Sequence, residues 1–175
     1  MNLNNKIVID FKEFLKTGKF DYLKIGKTKE WIINNFPDPD FFTGKDDKIY
    51  QNDIWRYGNV ELIFHEEKLI LFHSKYLDEN DLNGGEYLEI KKWFLEKSDK
   101  INLLSVIEYL NVERINFSKK TNQYESKSVR LELESGVHLG FILEGLEDEN
   151  DEEYTLRSET VSQNEFIFYS FSLGR

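Results

Sequence analysis

The chain has 175 residues, 39% hydrophobic and 15% aromatic, which is enough for one domain with a packed core and argues against wholesale disorder. Its formal net charge of −10 argues against nucleic acid as a partner, because nucleic-acid binders carry a basic stripe that displaces counterions from phosphates. It has no cysteine, which removes disulfide scaffolds, thiolate zinc sites and cysteine nucleophiles together.

The N-terminal stretch "MNLNNKIVIDFKEF" lacks the apolar run of a signal peptide. No segment approaches the roughly 20 apolar residues that a membrane helix needs. The expectation is a soluble, cytoplasmic protein that does not engage a membrane.

Residues 10–17, "DFKEFLKT", read as a short helix. Asp10 is its N-cap, Phe11, Phe14 and Leu15 are its apolar face, and Gly18 is its stop. A second helix follows within "YLKIGKTKEWIINNFPDP", capped by Thr28, with Trp31, Ile32 and Phe36 inward. Pro37 forces the preceding residue out of helical geometry. Residues 38–53 are acidic and contain glycine, so they read as a loop.

Strands come next. Residues 54–58 form a short one. Val60, Leu62 and Phe64 alternate with Glu61, Ile63 and His65, and the chain turns at Glu66-Glu67-Lys68 and returns through His73. On strict alternation, Leu69, Leu71 and His73 share one face, and Ile70 and Phe72 the other. A turn centred on Glu67-Lys68 pairs residue 65 with about 70, and 73 with about 62.

The loop "LDENDLNGGEY" divides the chain into halves. Residues 87–97 read as a helix on Ile90, Trp93 and Phe94. Residues 102–110 read as another, capped by Asn102, with Leu103, Val106, Ile107 and Leu110 on one face. "VERINFS" reads as a strand. "SVRLELESGVHLGFILEG" reads as a hairpin turning at Ser135-Gly136, and "EFIFYSFSL" as a closing strand. The apolar spacing of 60–72 returns at 129–141. One domain over 1–175 is expected, built from two pseudo-repeats, 8–77 and 87–175. The fold class is α+β: an antiparallel sheet with short helices packed on one face.

The histidines carry no metal clasp. His65 and His73 lie apart along their hairpin, and no HxH or HxxxH exists. Nor is there a GxSxG, Walker or GxGxxG motif, so no catalytic residue, cofactor or metal is assigned.

The acidity is localised. Residues 88–175 carry 11 basic and 17 acidic side chains, and residues 144–153 alone hold seven of those acids and no base. The run lacks the sixth-position glycine and twelfth-position glutamate of a calcium loop. It reads as a docking surface for a basic partner through Glu147, Asp148, Glu149, Asp151, Glu152 and Glu153. Trp55 and Tyr57 share a strand face and are the expected aromatic anchors beside it.

Residues Ile25, Gly26, Thr28 and Glu30, then Pro37-Asp38, then Trp55, Tyr57, Gly58, Glu61, Leu62, Phe64, Lys68 and Leu69 form a pattern over about 50 residues. It resembles small bacterial immunity-type proteins of polymorphic and contact-dependent toxin systems. Its helix-helix-sheet unit is similar to the repeat of β-lactamase inhibitor proteins and of small outer-membrane assembly lipoproteins, although the acylated cysteine of the latter is missing. The resemblance implies a non-catalytic immunity protein that occludes the active site of a basic, nuclease-type toxin. The alternatives are a general bacterial interaction or scaffold domain, or a small-ligand binder or enzyme.

Overall fold

A computed structural model of the chain describes residues 6–43, 52–75, 81–96, 101–121, 128–143 and 162–174. Its centre is an eight-stranded antiparallel sheet. The first half supplies β2 (Phe41–Thr43), β3 (Ile54–Tyr57), β4 (Val60–His65) and β5 (Lys68–Lys75). The second supplies β7 (Phe117–Thr121), β8 (Ser128–Leu133), β9 (Val137–Leu143) and β10 (Phe166–Gly174). Each half is a meander of four consecutive strands. They join where β10 pairs with β5, giving the order β2-β3-β4-β5-β10-β9-β8-β7.

The helices lie on one face, as the α+β reading expects. α1 (Phe11–Thr17) starts where the Asp10 carboxylate accepts from the Glu13 amide at 3.1 Å and stops at Gly18, whose φ is +66°. Its phenylalanines meet both halves of the sheet: Phe14 lies 6.1 Å from Phe72, and Phe11 lies 5.2 Å from Phe171. α2 (Lys29–Asn35) is capped by the Thr28 hydroxyl and buries Ile32, with Phe36 ending it. α3 (Leu103–Val112) is capped by Asn102 and buries Leu103, Val106 and Leu110. The buried residues form one continuous cluster drawn from both halves.

Four local expectations fail. Residues 87–97 are not a helix: Leu88–Lys91 is a strand, β6, followed by a 3₁₀ turn at Trp93–Glu96. β6 pairs in parallel with β1 (Ile7–Asp10), burying Ile9 and Leu88. Trp93 sits at φ +55°, which interrupts any continuous α-helix through the segment, so pairing with a distant strand overrides the local 3,4 spacing. The 38–53 loop contains β2, and the strand read from "VERINFS" starts later, at Phe117, because α3 continues through Val112.

The fourth failure is register. Glu66 and Glu67 both have positive φ, +47° and +63°, giving the two-residue turn whose twist suits a hairpin. His65 therefore pairs with Lys68, and Phe64 with Leu69; the register then slips, and Ile63 pairs with Leu71 and Glu61 with His73. Ile70 is the extra residue of a bulge, which resets the alternation. Leu69 and Phe72, three apart, are both fully buried. Leu71 and His73 face outward, so Leu69 does not share their face.

Candidate functional site

Trp55 and Tyr57 are not exposed anchors. Both are fully buried on the core face, because they alternate with Ile54 and Arg56 and it is Arg56 that faces out. The Trp55 indole donates to the Asn52 carbonyl at 3.1 Å, and its ring packs 4.5 Å from Phe64. The Tyr57 hydroxyl donates to the Pro37 carbonyl at 2.7 Å. Burial, with the Asp38 and Asp40 carboxylates nearby, pushes its phenol far above the ordinary tyrosine range, so it is a neutral donor at all ordinary pH. Glu147, Asp148, Glu149, Asp151, Glu152 and Glu153 lie outside the described residues.

The polar chemistry that the fold does assemble lies on the face of the sheet opposite the helices. One residue from each strand lines up across it, each the direct partner of the next: Phe41, Arg56, Glu61, His73, Ser172, His138, Glu132 and Ser118. The row is half-exposed in its middle and exposed at its ends. Arg56 pairs with Glu61 at 2.5 Å, and Glu61 reaches the His73 Nδ1 at 3.6 Å. On the other side Glu132 pairs with Arg130 at 2.7 Å, and Arg130 is two residues along the same strand face. Two carboxylates thus flank two imidazoles, with Ser172 between them. Burial and the Arg130 charge hold His138 below the ordinary histidine pKa, against the opposing pull of Glu132.

His65 takes no part: it is exposed at the hairpin turn, 4.0 Å from Glu66. The juxtaposition of His73 with His138 escaped the sequence. Its only signal there was that each sits at an outward position of a hairpin strand; that β10 would fall between the two hairpins was not encoded nearby.

A second polar cluster is structural. Asp40 accepts from the amides of Gly58 at 2.7 Å and Glu86 at 2.9 Å, locking the β3–β4 turn to the 81–87 segment. Asn59 adds bonds to Asp81 and Asn83. The open cleft there, about 590 Å³, is lined by Lys6, Asp40, Asn83, Glu86 and Tyr87, but both Asp40 oxygens are already spent on backbone. The buried Lys29 ammonium lies between Asp53 at 3.0 Å and Glu67 at 3.2 Å and ties α2 to the β4–β5 turn.

Among the described residues no group of three or more histidines or carboxylates could hold a metal ion, and no helix is long and apolar enough to cross a membrane. Comparison with protein families, curated proteins and solved structures gives no match.

Proposed function

We propose that this chain is a non-catalytic protein-binding protein of the cytoplasm, an immunity protein that neutralises a basic, nuclease-type bacterial toxin by covering its active site. The observation that carries the reading is charge placement: ten residues between β9 and β10 in sequence, 144–153, hold seven acids and no base. Without them the second half of the chain would be close to neutral, so solubility alone does not require the run to be concentrated there. Acidic side chains imitate the phosphates a nuclease expects and steer a basic partner inward. The outer sheet face, on which no described helix packs, is a second support, since a surface eight strands wide suits a protein partner better than a small molecule.

The test is stopped-flow association with the product of the adjacent gene. Binding with an on-rate that falls steeply as salt rises supports the reading. An on-rate insensitive to salt, or no complex at all, refutes it and leaves a general interaction or scaffold domain as the better account.

A further inference from the structure

The outward side of the sheet changes character at the seam between β5 and β10. On β3, β4 and β5 the outward residues Ile54, Ile63 and Leu71 are direct partners and form an apolar row, each of them half-buried. Phe41 stands on the edge strand in the neighbouring row and is 54% exposed. On β8, β9 and β10 the central outward positions are instead Arg130, Glu132, His138, Gly140, Ser170 and Ser172. An antiparallel sheet with one solvated face alternates apolar-in and polar-out. The central part of the second half keeps that rule. The first half breaks it on β4 and β5, which carry apolar side chains on both faces.

The polar row beside that strip is self-complementary. Phe41, Arg56, Glu61 and His73 are consecutive partners across β2, β3, β4 and β5. A two-fold axis running along the strands, midway between β3 and β4, carries β3 over β4 of a second copy and β2 over its β5. Residues paired across the sheet stay level under that rotation. Arg56 then faces Glu61 of the second copy, and Glu61 faces its Arg56. With the Arg56–Glu61 pair inside each copy, this closes a ring of four charges alternating in sign. In the apolar row Ile54 faces Ile63 of the second copy, and in the polar row Phe41 faces its His73. An axis through β4 would also lay the apolar row on itself, but it would set Glu61 against Glu61. Sheets packed face to face keep their strands within about 30° of each other and lie about 10 Å apart, a gap that apolar side chains from both sides fill.

We propose that the outward face of β2–β5 is a homodimer interface, on which two copies of the chain pack sheet to sheet about the axis between β3 and β4. The contact is isologous, so one self-complementary patch suffices and the assembly closes at two. Four strands about 4.8 Å apart and about four residues deep make a footprint on the order of 300 Å², below the ~800 Å² per partner of a standard interface, so the dimer is weak and forms at high concentration. The outward face of β7–β10 stays free for the partner proposed above, and the dimer does not depend on that partner's identity.

The test is sedimentation equilibrium of the full chain from about 10 μM to about 1 mM, a range over which a weak interface of this size should pass from monomer to dimer. Charge reversal then locates the axis. Arg56→Glu sets carboxylates face to face across the interface, and Glu61→Arg sets guanidinium groups face to face. Each variant alone should therefore lose dimer affinity by about tenfold or more. Mixed in equal amounts, the two variants should recover a heterodimer near the parent's affinity, because every facing pair is again opposite in sign. The Arg56–Glu61 pair lies at the surface, so neither reversal should unfold the chain. A mixture of labelled and unlabelled parent chain gives a reading free of variants. Isotope-filtered NOEs should join Phe41 to His73, which stand three strands, about 14 Å, apart within one copy. A chain that stays monomeric throughout, a dimer indifferent to the single reversals, a mixture that fails to recover, or a dimer without the Phe41–His73 contact overturns the proposal.

Discussion

Replacing Gly85 with alanine is expected to cost about 3–5 kcal/mol, a large share of the stability of a domain this size. Gly85 sits at φ +72°, and an added Cβ would overlap the Asp40 carboxylate outright. The left-handed backbone alone costs a non-glycine residue about 1–2 kcal/mol. Expelling Asp40 also breaks its bonds to the Gly58 and Glu86 amides, and a charge-assisted bond of that kind contributes about 1.5–3 kcal/mol. Relaxation of the loop returns part of that sum. Gly26 supplies the control: its φ is +90°, but nothing lies within 4 Å of the Cβ site, so Gly26→Ala should cost only about 1–2 kcal/mol. Urea unfolding at constant m separates the two. In an Asp40→Ala background, Gly85→Ala should cost less than it does alone, retaining the backbone strain and the 2.7 Å approach to the Gly58 nitrogen, because both changes break the same latch. Equal costs at Gly85 and Gly26, or strict additivity with Asp40→Ala, would refute the latch.

Lys29 offers a second contrast. Its ammonium is buried, but its partners Asp53 and Glu67 are about 70% exposed and rehydrate freely, so Lys29→Met should stay within about 1 kcal/mol of the parent. Lys29→Ala, which also empties the volume beside Phe64, should lose about 2–3 kcal/mol by the same denaturation assay. Ser74 is fully buried in the core with an unpaired hydroxyl, so Ser74→Ala should raise stability by about 1 kcal/mol, seen as a higher urea midpoint. His138 titrates below its unfolded value, so between about pH 7 and 5 the unfolded chain binds more protons there. Its contribution to stability is therefore present at neutral pH and lost as pH falls. His138→Gln should flatten the pH dependence of the urea midpoint across that window, and an unchanged slope would refute the assignment.

Local chemistry was legible where it acts over one turn. Asp10, Thr28 and Asn102 cap their helices because a short acceptor before an apolar 3,4 pattern has few other uses. The hairpin at Ser135-Gly136 and the apolar alternation of β8 and β9 were equally readable, since Val129, Leu131, Val137, Leu139 and Phe141 all bury as the period requires. What failed depended on distant partners. Ile90, Trp93 and Phe94 have helical spacing, yet Ile7–Asp10 claims the first part of that segment as a strand. Trp55 and Tyr57 were on one face as expected, but which face was decided by the helices above them. The bulge at Ile70 is invisible to a period-2 count, and it is what turns Phe72 inward and His73 outward.

The placement of the last strand ties these points together. β10 follows β9 in the chain and pairs with it, but its other edge takes β5, almost a hundred residues earlier. Had it stayed an outer edge, His73 and His138 would belong to separate meanders, each on its own four-stranded unit. As the seam, β10 sets one imidazole–carboxylate pair on each side of itself, and its own outward residues decide how closely anything can approach them. A large residue at Ser170 or Ser172 would bury the seam, whereas serine and glycine leave it open. The bulge at Ile70 is the other half of that arrangement. Without its one-residue shift, His73 would point into the core beside Phe171, where an imidazole would need a partner that the core does not supply. The polar row across the open face is therefore a consequence of two backbone features, a central last strand and a bulge, rather than of any motif along the chain.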